Sequence, residues 1–271
     1  RFREAGHRLF RNQEKIIFRP NIIFNLKFIM SGLAGLESQL NSLERLDWDS
    51  RFFGYSVARV VFDHCGVSLA EEVFREISES RFRLVYLFAP SDDDELNRVI
   101  TGKGGRLFDN KVLFVKQPEA CSQFKNQICE YKLEKPDEKL IELSLEAGLF
   151  SRFRLDNKFI NGEFEKLYTR WITDSVSGLI AFKVIVAVSD DGLIGVTTIG
   201  EKNGYADIGL VAVDRNHTGK GIGYDMIKYA DDVANKMNYD RLTVVTQMKN
   251  TAAYRLYRKC NFVTESITNV Y

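Results

Sequence analysis

Thirteen consecutive residues decide the fold of this chain: Val211-Ala212-Val213-Asp214-Arg215-Asn216-His217-Thr218-Gly219-Lys220-Gly221-Ile222-Gly223. A β-rich run over 205–213 leads into them, and a segment with apolar residues at helical spacing follows. The first N–H groups of a helix have no partner within that helix. A strand, a glycine-rich turn and a helix in succession therefore form an anion-binding site. The stretch predicts an α/β domain that holds a phosphorylated ligand here.

The glycine spacing excludes two common phosphate-binding motifs. A P-loop needs four residues between its first glycine and a Gly-Lys pair, followed by Ser or Thr, and Gly219-Lys220-Gly221 does not fit. The dinucleotide fingerprint GxGxxG needs a third glycine three residues after the second, and after Gly221 and Gly223 that position is Met226. The ligand is therefore neither a P-loop nucleotide nor a dinucleotide bound in the usual way.

Strands alternate with helices in two similar halves of the chain, which predicts an α/β (α+β) fold with a mixed sheet. In the first half we expect strands at 56–63, 84–89 and 111–116, with helices at 68–79 and 92–101. In the second half we expect helices at 137–149, 164–176 and 250–260, strands at 183–188, 193–199, 205–213, 242–246 and 262–271, and a loop at 151–154. The turn Asp190-Asp191-Gly192 predicts a hairpin between the first two of these strands.

The quoted stretch resembles the acetyl-CoA loop of the GNAT N-acetyltransferase superfamily. The resemblance implies acetyl-CoA as cosubstrate and no metal. It implies that backbone amides hold the CoA pyrophosphate and that the preceding strand contacts the pantetheine at Val211 and Val213. The amides belong to Thr218, Gly219, Lys220, Gly221, Ile222 and Gly223. Thr218 stands where this superfamily usually has Arg or Gln, a change that leaves the backbone amide in place.

Three further segments resemble the dTDP-4-amino-4,6-dideoxygalactose acetyltransferases of bacterial surface-polysaccharide assembly. They are Phe52-Phe53-Gly54, Ser151-Arg152-Phe153-Arg154 and Val245-Thr246-Gln247-Met248-Lys249-Asn250-Thr251-Ala252-Ala253. This resemblance covers residues 43–271 and implies N-acetylation of the 4-amino group of a nucleotide-linked amino-dideoxy sugar. It also implies a degenerate acetyltransferase-like domain at 43–120, a linker at 121–136 and a catalytic domain at 137–271, behind an arm at 1–42.

Acetyl transfer needs a donor for the oxyanion and a proton for the departing thiolate. By resemblance, the backbone N–H of Val213 serves the first need and Tyr257 the second, with Tyr254 as the reserve. A phenol is protonated at neutral pH and can donate. Asn250 is expected to cap its helix and to touch the cofactor, and Arg255 to face a CoA phosphate or solvent.

The sequence indicates fewer residues for the acceptor-binding site than for the acetyl-CoA site. Arg152 and Arg154 are expected to bind the diphosphate of an amino-sugar nucleotide, because guanidinium groups suit bidentate phosphate contacts. No histidine is placed to act as the base. His217 is interpreted as a loop residue, and the group that deprotonates the amine stays unassigned.

Composition limits the partners of this 271-residue chain. The 38 basic and 37 acidic side chains nearly cancel, which disfavours nucleic acid. Four scattered cysteines fit a reducing, cytoplasmic setting and form no zinc motif. The apolar run at 21–30 is too short to span a bilayer, so the basic arm is expected to pack on protein or to touch a membrane surface. A homodimer is compatible with these features.

Two other functions fit the glycine-rich stretch. One is an acetyltransferase for a protein N-terminus or another small amine, which needs a peptide groove instead of a diphosphate site. The other is a CoA-sensing module without turnover, in which Tyr257 would have no task. The similar-looking stretch Thr101-Gly102-Lys103-Gly104-Gly105-Arg106 follows a helix instead of preceding one, so we interpret it as a structural turn.

Overall fold

One mixed sheet of ten strands runs through residues 41–63 and 67–271, the part of the chain that the computed structural model describes. Its strands are β1 (Glu44–Arg45), β2 (Val57–Val61), β3 (Leu84–Pro90), β4 (Asp109–Lys116), β5 (Gln127–Glu130), β6 (Lys183–Ser189), β7 (Gly192–Lys202), β8 (Tyr205–Val213), β9 (Leu242–Gln247) and β10 (Val263–Val270). Their order in the sheet is β1-β2-β3-β10-β4-β9-β8-β7-β6-β5. The pairs β2–β3 and β8–β9 are parallel and the others antiparallel, which confirms the predicted mixed sheet.

Eight α-helices connect these strands in the described part of the chain. They are α1 (Asp47–Phe53), α2 (Val67–Glu79), α3 (Asp94–Gly102), α4 (Glu138–Ala147), α5 (Arg152–Leu155), α6 (Glu163–Val176), α7 (Ile222–Lys236) and α8 (Thr251–Lys259). Leu140, Leu167 and Trp171 of α4 and α6 join one apolar core, whereas Ile227 and Tyr257 of α7 and α8 join another. Val184 and Val186 of β6 belong to the first core and Ile185 to the second, so the two cores lie on opposite faces of the sheet.

The parallel strands β8 and β9 separate after three residue pairs. Their pairing covers Ala206, Asp207 and Ile208 of β8 and goes no further. Just beyond, β8 carries one more residue than β7 between Ile208 and Val211, which is a β-bulge. Since a bulge bends and twists its strand, it accounts for the divergence. A gap therefore opens between the ends of β8 and β9.

The last strand of the second half lies among the strands of the first. β10 pairs with β3 through Thr268–Val270 and with β4 over 263–270. β4 in turn pairs with β9 along its length. The two halves therefore share one continuous sheet, and the division into domains at 43–120 and 137–271 stays a prediction.

Three segments differ from the sequence prediction. Residues 151–154 do not form a loop, because the carbonyl of Ser151 accepts the N–H groups of Arg154 and Leu155 and so starts the short helix α5. The predicted linker contains β5, which pairs with β6. Helix α1 had no predicted counterpart. The predicted arm at 1–42 lies almost entirely outside the described residues.

Candidate active site

The glycine-rich stretch forms a tight turn between β8 and α7. The Asp214 side chain accepts the N–H of Asn216 and caps a single 3-10 turn over Arg215–His217. Gly219 and Gly221 follow with φ of 78° and 82°, a left-handed backbone that favours glycine. Gly221 occupies the N-cap position, and α7 starts at Ile222. The free N–H groups of the first turn of α7 therefore open beside the end of β8, as the acetyl-CoA loop requires.

Charged groups fix the start of this turn. Lys139 of α4 places its ammonium nitrogen 2.6 Å from Asp214 and, with the Asn216 amide, lowers the pKa of that carboxyl to about 2. His217 lies between Asp214 and Asp191, at 3.5 and 3.6 Å. This position agrees with its interpretation as a loop residue.

The third glycine of the stretch has a packing role. A Cβ on Gly223 would lie 3.2 Å from a methyl carbon of Leu256 in α8, closer than most real contacts. A glycine here lets α7 approach α8, while its backbone N–H stays within the first helical turn. Gly223 was predicted to bind the cofactor, and that role remains a prediction.

Hydrogen bonds to Asp225 hold a segment of the predicted linker beside the glycine-rich turn. One carboxylate oxygen of the buried Asp225 accepts the backbone N–H groups of Lys125 and Asn126, at 2.9 and 2.8 Å, and the side-chain amide of Asn126 at 2.7 Å. A Cβ on Gly221 would lie 4.0 Å from that amide nitrogen. The polar composition of residues 121–136 gave no signal for this contact.

The edge of β8 offers N–H groups to the gap. The N–H of Leu210 donates to the Thr198 hydroxyl and that of Asp214 to the Ile194 carbonyl, both on the β7 side. Because N–H groups alternate along a strand, those of Val211 and Val213 face the opposite side, towards the gap. This is the orientation expected for contacts to a pantetheine chain and a thioester carbonyl.

A pocket that is open to solvent lies where β8 and β9 part. It joins residues that are far apart in sequence, from β4, α5, α6, β8, β9 and α8. The lining residues are Asp109, Lys111, Ala147, Ser151, Arg152, Phe153, Tyr168, Trp171, Gly209, Leu210, Val211, Val245, Thr246, Gln247, Asn250, Ala253 and Tyr257. Four predicted site residues are thus brought together: Arg152, Val211, Asn250 and Tyr257.

Tyr257 lies on the inner face of α8, with 3% of its surface exposed, and packs against Phe114 with ring centroids 5.6 Å apart. Burial raises the pKa of its phenol, and Cys260 and Asp207 raise it further. The phenol is therefore protonated at any physiological pH. Tyr254 also packs on Phe114 but does not line the pocket.

Asn250 begins α8 and caps it. Its side chain accepts the N–H of Ala253 at 3.1 Å, which agrees with the predicted capping role, and it also lines the pocket. Arg255 lies exposed on the same helix, and Thr218, Gly219 and Lys220 are exposed in the turn. Contact of these residues with the cofactor stays a prediction.

The two predicted arginines occupy different environments. Arg152 is buried, with its guanidinium carbon 4.5 Å from the centre of the Tyr86 ring and 4.3 Å from that of Phe153. Its Nε has no hydrogen-bond partner among the described residues. Arg154, by contrast, is exposed and lies 3.7 Å from Glu165. The structure brings only Arg152 into the pocket, since Arg154, two residues further along α5, points outward.

Asp109 and Lys111, at the start of β4, bring two charges into the pocket that the sequence analysis missed. Burial, with repulsion from Arg152, lowers the pKa of Lys111 to about 7, while Asp109 opposes this shift. Burial raises the pKa of Asp109, and Lys111 and Arg152 lower it. No sequence signal marked these residues, because the strand they begin belongs to the half predicted to be degenerate.

A second buried carboxylate supports a prediction on stability. Burial raises the pKa of Asp49, on α1, from 3.8 to about 6, and Arg152 and Arg59 only partly oppose it. A group whose pKa is raised in the folded state contributes stability at low pH and loses it as pH rises through about 6. Between pH 4 and 7, the wild type should therefore lose about 2.4 kcal/mol of unfolding free energy that Asp49→Asn does not lose.

Urea unfolding of both proteins at several pH values checks this expectation. The difference between their unfolding free energies should change steadily across the interval and level off above pH 7. Parallel stability curves would contradict the assigned pKa of Asp49.

Comparison with known proteins agrees with this geometry. Residues 149–262 match the model of the acetyltransferase (GNAT) family. The chain is 22% identical over 193 residues to the spore coat polysaccharide biosynthesis protein SpsD of Bacillus subtilis, covering 70% of this chain and 66% of that protein. The chain thus spans slightly less than two thirds of the length of this curated relative.

Two solved structures are similar to this chain at low sequence identity. A functionally unknown conserved protein from Staphylococcus epidermidis is 14% identical, with a TM-score of 0.51 and coverage of 80% of this chain and 82% of that one. A GCN5-related N-acetyltransferase from Sphaerobacter thermophilus is 17% identical, with a TM-score of 0.49 and coverage of 75% and 65%.

Residues 149–262, less than half of the chain, are therefore similar to the GNAT acetyltransferase superfamily. Members of this superfamily use acetyl-CoA as acetyl donor, and the open N–H groups of the turn and of β8 fit such a ligand. Within residues 41–63 and 67–271, no group of three His, Cys, Asp or Glu could hold a metal ion. None of the helices in this described region is long and apolar enough to cross a membrane.

Proposed function

We propose that this protein is an acetyl-CoA-dependent N-acetyltransferase that acetylates the 4-amino group of a dTDP-linked amino-dideoxy sugar. The observation that carries the proposal is the pocket between β8 and β9. It joins the strand edge suited to acetyl-CoA with a buried phenol and a buried guanidinium. Acetyl-CoA supplies an activated acetyl thioester at this point.

Each step of the proposed reaction is assigned to a different group of the site. The Val213 N–H faces the gap, where it stabilises the oxyanion of the thioester carbonyl as the amine attacks. Tyr257 holds a proton that it gives to the departing thiolate. The backbone amides at 218–223 hold the pyrophosphate and fix the thioester between these two groups.

The acceptor side of the pocket is cationic. Arg152 is buried without a carboxylate within 4.0 Å of its guanidinium in the described chain, and Lys111 lies in the same pocket. A diphosphate would compensate the charge of Arg152 and favour the protonated form of Lys111, whereas a peptide N-terminus carries no anion for them. The relative SpsD, named for spore coat polysaccharide biosynthesis, supports a sugar as the acceptor class.

Initial rates of CoA release test the acceptor. We compare the dTDP-linked 4-amino-4,6-dideoxyhexose, the free amino sugar and a set of N-terminal peptides. The nucleotide-linked sugar should give the highest kcat/KM, because remote binding energy positions the amine. If a peptide exceeds it, the protein is an acetyltransferase for protein N-termini. If no amine is acetylated, the CoA-sensing module is favoured.

Arg152→Lys tests the guanidinium directly. Lysine keeps the positive charge but loses the planar pair of donors that matches a phosphate. We expect KM for the sugar nucleotide to rise about tenfold, the cost of one charge-assisted hydrogen bond of roughly 1.5 kcal/mol. Affinity for acetyl-CoA should stay unchanged.

Arg154→Ala is the matched control for this experiment. It removes a guanidinium two residues away that lies outside the pocket and pairs with Glu165. It should change KM less than twofold. Equal effects of the two variants would refute the assignment of Arg152 to the acceptor.

A further inference from the structure

The first half of the chain places one carboxylate in the pocket with an unusual lack of partners. Asp109, the first residue of β4, is 3% exposed and lines the pocket. Neither of its two carboxylate oxygens has a hydrogen-bond partner among the described residues. Buried carboxylate oxygens are almost always satisfied, so two unsatisfied oxygens on a residue that lines a cavity indicate a missing donor group.

The groups around Asp109 come from three elements. Lys111 of β4 and Arg152 of α5 act on its carboxyl, as do Gln247 of β9 and Lys249, which follows β9. The Gln247 amide approaches the carboxylate without completing a hydrogen bond. In the described chain, no cation lies within the 4.0 Å of an ion pair with Asp109. The carboxylate is thus held near positive charge but is not neutralised by it.

We propose that Asp109 binds the ammonium group of the acceptor and takes its first proton, which makes the amine nucleophilic. This inference rests on the proposed function and adds the base that sequence reasoning left unassigned. An ammonium offers three N–H donors to two unsatisfied oxygens. The pocket therefore accepts a primary amine on a molecule that also carries an anion, with the amine at Asp109 and the anion at Arg152.

The protons and bonds balance in this scheme. One proton passes from the ammonium to Asp109, and the freed amine forms a C–N bond to the acetyl carbon. The C–S bond breaks, and Tyr257 gives its proton to the sulfur. The second proton leaves the nitrogen and restores the phenol. The products are the amide, CoA as its thiol and one proton, which Asp109 releases to solvent.

The inference gives the first half of the chain a chemical role. Asp109 and Lys111 belong to the half that resembles a degenerate acetyltransferase, and β4 places them opposite β9 at the gap. A catalytic domain limited to 137–271 would lack both. The active site is therefore built from the two halves together.

Asp109→Asn tests the proposal, because it keeps the shape and removes the acceptor of the proton. At pH 7 we expect kcat/KM for the nucleotide-linked amine to fall by about 10²–10⁴-fold, the usual contribution of general base catalysis. The variant can use only amine that arrives unprotonated. Its deficit should therefore shrink as pH rises towards 10 and free amine becomes the main form.

Asp174→Asn is the matched control. Asp174 is also 3% exposed, but it pairs with Arg170 and does not line the pocket. This variant should keep the rate and pH profile of the wild type. Asp109→Ser provides a second neutral replacement in case the Asp109→Asn variant does not fold. Calorimetric binding of acetyl-CoA verifies that each variant keeps the donor site.

The outcomes separate the two proposals. A deficit in Asp109→Asn or Asp109→Ser that shrinks at alkaline pH supports the role of Asp109. A deficit of the same size at every pH, or none, overturns it while the proposed function stands. A wild-type protein that binds acetyl-CoA but acetylates none of the amines overturns both.

Discussion

Tyr257→Phe lowers kcat by about 10²–10⁴-fold if the phenol protonates the departing thiolate, since this is the usual contribution of a general acid. The substitution keeps the ring against Phe114 and removes only the hydroxyl. KM for acetyl-CoA should change little, because the donated proton matters in the transition state and not in binding. Single-turnover kinetics at saturating substrate measure the chemical step.

The pH profile gives this prediction a second measurement. Burial raises the pKa of Tyr257, so the phenol stays protonated through the alkaline range and its ionisation should not reduce kcat below pH 10. Tyr254→Phe is the matched control on the same helix, outside the pocket, and should keep the wild-type rate. Normal turnover in Tyr257→Phe would exclude this residue and assign its role to Tyr254.

Gly221→Val should reduce affinity for acetyl-CoA more than 100-fold. Gly221 has φ of 82°, a backbone that a β-branched residue adopts only with strain of about 1–3 kcal/mol. We expect the backbone at 221 to relieve this strain by changing its dihedral angles, which moves the amides of the turn away from the pyrophosphate. The valine side chain also occupies space beside the pyrophosphate. Since each 1.4 kcal/mol is a factor of ten, the combined loss exceeds two powers of ten. Calorimetric titration with acetyl-CoA measures it.

Gly104→Val provides the control for backbone strain alone. Gly104 has φ of 93° in the turn after α3, and a Cβ there meets nothing within 4 Å. The variant should lose similar stability and keep its affinity for acetyl-CoA. Unchanged affinity in a folded Gly221→Val would refute the cofactor site. A loss in Gly104→Val would show that strain anywhere in the molecule impairs binding.

The second half was predicted well because its signals are local. The strand at Tyr205–Val213 has the predicted bounds, and the Asp190-Asp191-Gly192 turn joins β6 and β7 as expected. Each depends on neighbouring residues alone: alternating apolar side chains for the strand, positive φ at Gly192 for the turn. The stretch at 101–106 likewise contains the end of α3 and the turn before β4, in agreement with its interpretation as a structural turn.

The parts that were missed depend on contacts between distant segments. Asp109 looks like an ordinary strand residue, and only the pairing of β4 with β9 brings it to the gap. Arg152 and Arg154 look equivalent in sequence, yet the short helix α5 buries one and exposes the other. The bulge in β8 that opens the gap coincides with Gly209, a glycine inside the strand whose link to a bulge was not recognised in the sequence. The sequence alone therefore predicts the acetyl-CoA loop more readily than the acceptor-binding site.

The position of β10 has a consequence for how the molecule is made on the ribosome. β10 lies between β3 and β4 in the sheet. The edges of β3 and β4 that pair with β10 therefore stay unpaired until the end of the chain is synthesised. Contacts such as Thr268 with Pro90 link segments far apart in sequence, and such contacts form slowly. The nascent first half exposes edges prone to association until the final strand emerges, which makes chaperone dependence and low yield the expected result of expressing residues 43–120 alone.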